Sequence, residues 1–463
     1  MRNSLHAVLV LGVFFLAAIA EAAPLDAYAW HGLTPGGAPN EGFACQVETM
    51  ADGLRGYCAL DGFMSRPVEE DGEFFVQLVV PDLGVSGEMG TPELPAWRRF
   101  IEVPPDAQNV RLVVRDAYSE TTGADKLGMS APIRPVQPPW EKLPGKPKPP
   151  LAWNVSLYAS ATTVRPVEVE LEPLGILRGR RLYLLTVYPV DYSPVTHELI
   201  LRRAIDFEVR WDVAAQSVPA ASRFHSPLID AAVEPFILNP EAEPAKGLPE
   251  VPIGCLIIAA PAYVAEDSLL DLVAWKTQRG FHTSLVSTDA TGLTTGAIKA
   301  YIQNAYQTWD TPPAFVLLVG DTGDIPHWVG SQGDSPSTDL YYATVDGPEW
   351  NTPDLAVGRL AVASAGELAN VVAKALAYER GLWPGDYAGW EQRAAFLAGN
   401  DNHSITEGTH NAVIGSYLDP LGYTCDRLYE ATYAATTTDV TNAVNAGRSL
   451  LTFSGHGSQT SWG

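Results

Sequence analysis

Lysine is scarce, at 8 of 463 residues, and the 30 Lys and Arg face 54 Asp and Glu, a net charge of -24. No stretch supplies the basic stripe that a nucleic-acid backbone requires, so DNA and RNA are excluded as partners. Long apolar runs are absent after residue 20, and no later segment is expected to span a bilayer. Cysteine is limited to Cys45, Cys58, Cys255 and Cys425, whose spacings form no metal cluster. His197-Glu198 has Leu201 where a zinc-protease helix needs its second histidine. There is no Gly-x-Ser-x-Gly elbow, no phosphate-cradling glycine loop ending in Lys-Ser/Thr and no dinucleotide fingerprint. Hydrophobic residues are 46% and charged residues only 18%, which provides for a large core and excludes wholesale disorder.

What is present begins with an address. Arg2, an apolar run over 7–20 and Ala20-Glu21-Ala22 have the basic, hydrophobic and small-x-small layout of a secretory signal peptide. Residues 1–23 are therefore expected to be removed, and the protein to be secreted or held at the cell surface. Export permits a disulfide between Cys45 and Cys58. Cys255, in Gly254-Cys-Leu-Ile-Ile-Ala259, reads as a buried and inert thiol. None of the four has the exposed, electropositive setting of a nucleophile.

Two rhythms follow. Residues 24–72 read as irregular. Over 73–213, short β-branched and aromatic runs such as Phe74-Phe-Val-Gln-Leu-Val-Val80 and Arg181-Leu-Tyr-Leu-Leu-Thr-Val187 are bounded by turn residues, which favours a β-sandwich or barrel. The 131–150 stretch holds 8 prolines and reads as an extended loop. An Ala-, Pro- and Glu-rich connector is expected over 214–250. From 251 to 463, apolar strands alternate with helical spacing, the signature of a parallel sheet flanked by helices. Ligands and chemistry gather at the carboxyl ends of such strands. That rule selects Gly320-Asp321, Asn400-Asp401, the loop after Leu428, and Gly455-His456-Gly457-Ser458.

At the last of these, glycines on both sides let backbone approach a ligand, and a histidine there can act as acid or base near neutral pH. A histidine in a tight glycine turn is the blander alternative. Asp401 could orient His456 or simply cap a helix. Oxygen ligands crowd the loop holding Asp339, Asp346, Glu349, Asn351 and Asp354. With Asp321 they could hold calcium or form only a solvated acidic loop.

Leu256-Ile-Ile258, Val273-Ala-Trp-Lys-Thr-Gln-Arg-Gly280, Phe315-Val-Leu-Leu-Val-Gly-Asp321, Asp339-Leu-Tyr-Tyr342, Val357-Gly-Arg-Leu360, Leu421-Gly-Tyr-Thr424 and Ser454-Gly-His-Gly-Ser458 occur in an order and spacing that resembles the gingipain-type cysteine peptidases. Gly87-Glu-Met-Gly-Thr-Pro-Glu-Leu-Pro95 and Ile101-Glu-Val-Pro104 are similar to that family's β-rich propeptide. The resemblance implies a β-sandwich-like propeptide followed by an α/β caspase-like domain, and a zymogen whose propeptide inhibits it within the same chain. Protein or peptide substrates are implied as well.

By the same resemblance, His456 is the catalytic histidine, Asp401 the acidic third member, and Gly457 N–H part of the oxyanion hole. Glu407 lies near an acidic position of the specificity pocket, although the shorter 401–407 loop leaves side-chain preference open. Asp321, Glu349 and Asp354, with backbone oxygens near Asp346 and Asn351, fall on a structural calcium site, and His410 near a second cation site. The family's nucleophilic cysteine belongs to the next strand end, whereas this chain ends seven residues after His456. The expectation is therefore a catalytic domain truncated at its C-terminus, a fragment inactive alone. The alternative is a non-catalytic exported calcium-binding or interaction protein on a peptidase-like fold.

Overall fold

The structure is a computed structural model that describes residues 28–34, 36, 42–138, 147–160, 162–165, 167–212, 223–224, 226–240, 253–330, 336–347, 352–381, 389–400 and 403–455. Period-two alternation in the first half gives antiparallel strands throughout, because one pleat face is buried and the other is wet. Gly53–Leu60 and Glu198–Asp212 lie side by side in one sheet, with Leu94–Val103 and Arg180–Val187 in another. Leu54, Cys58, Ile205 and Phe207 of the first sheet share a buried core with Trp97, Ile101, Leu185 and Val187 of the second, as in a sandwich. Gly56 stands opposite Phe207. A Cβ there would come within 2.2 Å of the phenyl ring, so this glycine is required by packing.

The expectation of an irregular 24–72 segment is corrected. Phe43–Met50 and Gly53–Leu60 are neighbouring strands of the first of these sheets, and Ala29–Gly32 and Gly62–Glu70 pair in a further sheet with Glu73–Val79. Glycines and charges over 42–72 mask the alternation, and cross-strand pairing supplies what local propensity does not. Cys45 and Cys58 are register partners joined by a disulfide, as the sequence allowed. Breaking that loop by Cys45→Ser with Cys58→Ser is expected to cost about 2–3 kcal/mol in urea denaturation, because the reduced unfolded chain gains loop entropy.

The 214–250 connector is also more than a linker. Its described residues include the helix Pro227–Val233, and Ile237 bridges to Phe100. Ile229, Val233 and Ile237 bury themselves among Leu182 of the first half and Ala314 of the second, so the segment is a wedge that both halves pack against.

In the second half, Phe281–Ser287, Ile253–Ala259, Pro313–Val319 and Ala356–Leu360 form a parallel ladder in that spatial order. A second parallel ladder joins Thr424–Tyr429, Arg393–Ala398 and Leu450–Ser454. Leu256 and Ile258 pack with Ile298, Ile302 and Tyr306 of the helix Thr295–Thr308. Ile257 and Ala259 pack instead with Leu269 and Leu272 of Asp267–Gln278 and Leu368 and Val372 of Ala365–Arg380. Both sheet faces are thereby covered, which is why the strand reads as a continuous apolar run. The helix His403–Val413 carries Gly408 in its interior, where glycine is tolerated at some cost. No helix among the described residues is long and apolar enough to cross a membrane.

Candidate active site

The parallel register brings two of the selected strand ends together. Ala398 pairs with Ser454 and with Tyr429, and Gly399 N donates to Ser454 O at 2.9 Å. The chain therefore leaves adjacent strand ends toward Asp401 on one side and His456 on the other. Asp401, His456 and Gly457 themselves lie outside the described residues. Gly455 is held against Phe453, where a Cβ would approach the ring to 2.5 Å, so the residue preceding the histidine must be small.

The helix His403–Val413 lies behind this edge. His410 is 4% exposed, with Nε2 2.9 Å from Ser454 Oγ and its ring against Phe396 and Tyr429. Burial pushes its pKa below the ordinary imidazole value, with Glu407 partly opposing. Glu407 is also buried, and Thr432 Oγ1 donates to its Oε2. Among the described residues, Glu407 Oε1 and His410 Nδ1 have no hydrogen-bond partner. These two residues tie the helix to the ends of the strands on either side. Glu407 is thus brought to the predicted edge, packed beneath Thr432.

At the other ladder, Arg359 organises the turn after Pro313–Val319. Its Nε and Nη2 grip both oxygens of Asp339 at 2.8 Å, while Nη1 donates to Gly320 O and Ile325 O. A planar guanidinium can hold a carboxylate and two carbonyls at once, which lysine cannot. Asp321 Oδ1 accepts from Thr322 N at 2.7 Å.

The carboxylates assigned to calcium do not converge. Asp321 follows the carboxyl end of Pro313–Val319, whereas Asp354 precedes the amino end of Ala356–Leu360, and these strands run parallel with Phe315 opposite Ala356. The two positions are separated by the length of the ladder, about 20 Å at ~3.3 Å per residue. Asp354, 1% exposed, already accepts Arg178 N at 3.0 Å and the N–H groups of Val345 and Asp346 at 2.7 Å. Asp346 Oδ2 accepts from Gly179 N at 3.1 Å and from Tyr306 OH at 3.2 Å. His410 belongs to the other ladder, Glu349 and Asn351 lie outside the described residues, and no cluster of three or more metal-ligating side chains occurs among the described ones. Among the described residues, Asp321 and the 346–354 loop stand at opposite ends of the ladder. The described members, Asp321, Asp346 and Asp354, do not fit one calcium ion.

Neither free cysteine resembles a nucleophile. Burial pushes the Cys255 thiol up to about 11, and burial also raises Cys425. Because the reactive form is the thiolate, alkylation of Cys255 in the folded chain should be negligible at pH 8. It should rise about tenfold per pH unit until the thiol titrates. Timed iodoacetamide labelling with peptide mapping reads this directly, and rapid labelling at pH 8 would overturn it.

Residue type and motif do not single out Arg178, which sits 3% exposed at the tip of a hairpin. Its Nη1 donates to Pro313 O and Asp354 O and its Nε to Phe224 O. The available signal was the Leu177-Arg-Gly-Arg180 turn between two strand-like runs.

Residues 249–463 match the model of peptidase family C25, and residues 61–244 match that of the C25 propeptide. Lys-gingipain HG66 of Porphyromonas gingivalis is 31% identical over 412 residues, covering 85% of this chain and 23% of the relative. Gingipain R2 of the same species is 28% identical over 302 residues, 62% of this chain and 39% of the relative. A solved structure concerned with zymogenic latency of gingipain K from that species shares 28% identity with a TM-score of 0.36, over 40% of this chain and 100% of that one. The chain thus spans about a quarter of the length of the Lys-gingipain relatives. With a C25 propeptide followed by a C25 peptidase region in one polypeptide, the chain belongs to the gingipain-type cysteine peptidases.

Proposed function

We propose that this chain is the propeptide and the His-bearing part of a secreted cysteine endopeptidase zymogen. The nucleophilic cysteine would come from polypeptide outside residues 1–463. The observation that carries this reading is the pairing of the strand ends that lead to Asp401 and His456, through Gly399 N and Ser454 O. The buried setting of Cys255 and the raised pKa of both Cys255 and the half-buried Cys425 support an external nucleophile, and the Cys45–Cys58 disulfide suits an exported protein.

In the mechanism, His456 takes the thiol proton and balances the thiolate. The thiolate sulfur attacks the peptide carbonyl carbon, and the carbonyl oxygen becomes an oxyanion facing Gly457 N–H. Collapse expels the amine, which takes its proton from His456. Water, deprotonated by the same imidazole, then releases the acid and restores the thiolate. Asp401 keeps the imidazole in one tautomer. The propeptide holds the enzyme latent until it is removed.

The test is to express the whole reading frame, remove the propeptide, and treat the product with a thiol-directed peptidyl probe. Labelling of one cysteine beyond residue 463, together with peptide hydrolysis, is the expected result. Absence of both would leave the alternative, an exported interaction protein without catalysis.

A further inference from the structure

The hairpin formed by Val169–Leu177 and Arg180–Val187 turns through only Arg178 and Gly179, with φ of 50° and 78°. Both positive values are those of a type I′ turn, which favours Asn, Asp or Gly at its first position. An arginine there is strained by about 1–2 kcal/mol, and such a cost persists where the surroundings hold the residue for a purpose. Apart from Phe224, which belongs to the connector, those surroundings lie in the peptidase region. The Arg178 side chain donates to Pro313 O at 3.1 Å, Asp354 O at 2.9 Å and Phe224 O at 2.7 Å, over the ring of Tyr306. The turn's own N–H groups meet Asp354 and Asp346. Phe224 stacks on Tyr306 with centroids 4.5 Å apart, closing the other side. Arg180 holds the wedge through Asp230 and Glu234, and Leu182, Ile229, Val233 and Ala314 form an apolar patch beside it.

We propose that the pocket formed by Pro313, Asp346, Asp354 and Tyr306 of the peptidase region is a docking site for the Arg178 hairpin, and that it holds the propeptide, with Phe224 still attached to it, on the peptidase region after the connector is cut. The site lies at the amino ends of Pro313–Val319 and Ala356–Leu360, the edge of the sheet opposite Gly320-Asp321. Attachment of the propeptide is therefore separate from whatever happens at the carboxyl ends, and cutting the connector alone leaves the propeptide in place. Release requires the hairpin to be withdrawn or destroyed. This inference needs only the two matched regions and does not depend on the catalytic assignment of His456.

The experiment uses the full chain with a site-specific protease sequence substituted within 241–250. After cutting, the two pieces should co-elute on size exclusion, and dilution gives their dissociation constant. Arg178→Gly and Arg178→Asn both relax the turn, so the hairpin should form at least as well as before. Each should nevertheless weaken association on the order of 100-fold or more, because a buried, multiply bonded cation is lost. Circular dichroism melts of the separated pieces show whether each stays folded. Two outcomes overturn the proposal: parent pieces that separate at micromolar concentration, or both variants holding within about threefold of the parent.

Discussion

His456→Ala in the full-length, activated protein is expected to lower kcat/KM by about 10⁴- to 10⁶-fold, with KM changed little. The size follows from the double duty assigned to one imidazole. It stabilises the attacking thiolate and later supplies the proton without which the amine cannot leave. Asp401→Ala is expected to cost somewhat less, about 10⁴-fold, because the imidazole remains but loses its fixed tautomer. The structural basis is the short path from each residue to a bonded pair of strand ends, Gly399 N to Ser454 O at 2.9 Å. Steady-state hydrolysis of a peptide substrate, with active sites counted by the thiol probe, is the measurement. A His456→Ala enzyme within tenfold of the parent would remove the histidine from the mechanism.

Asp354→Ala should lower stability by about 3–5 kcal/mol, measured as the shift of the urea midpoint of the 463-residue chain. Truncation leaves the N–H groups of Arg178, Val345 and Asp346 buried without their acceptor. It also places the Arg178 guanidinium in a pocket with one carboxylate fewer. Asparagine is not a full remedy, because its NH₂ must face one of three donors. A change below about 1 kcal/mol would mean that water or a shifted loop satisfies those groups, and the carboxylate would no longer explain how the two regions are joined.

Much of the second half was legible because each element announces itself locally. Ile253–Ala259 is apolar on both faces because helices cover both faces. The helix Ala365–Arg380 is bounded by Ser364, whose side chain accepts from Glu367 N, and by Gly381 in the left-handed region, residue types that generally start and stop helices. The strand-end rule pointed to Asp401 and His456 from their neighbours alone. Local pattern failed where pairing decides. Glycine and charge around Phe43–Met50 and Gly53–Leu60 hide them as strands, yet Cys45 opposite Cys58 and Gly56 opposite Phe207 place Leu54 and Cys58 in a core with Phe43 and Val47 packed against it.

The acidic loop shows the same division. The abundance of carboxylates was plain in the composition, and their chemistry alone suggested calcium. What they contact depends on strand direction: parallel pairing of Pro313–Val319 with Ala356–Leu360 sends Asp321 to one edge and Asp354 to the other. Asp354 then meets Arg178, which is 176 positions away in the chain. Secondary structure, the alternation of strand and helix, and the residue types at the strand ends follow from short-range sterics and hydrophobic period, which neighbours in the chain control. The partner of a buried charge is chosen by long-range packing, which only the folded chain defines.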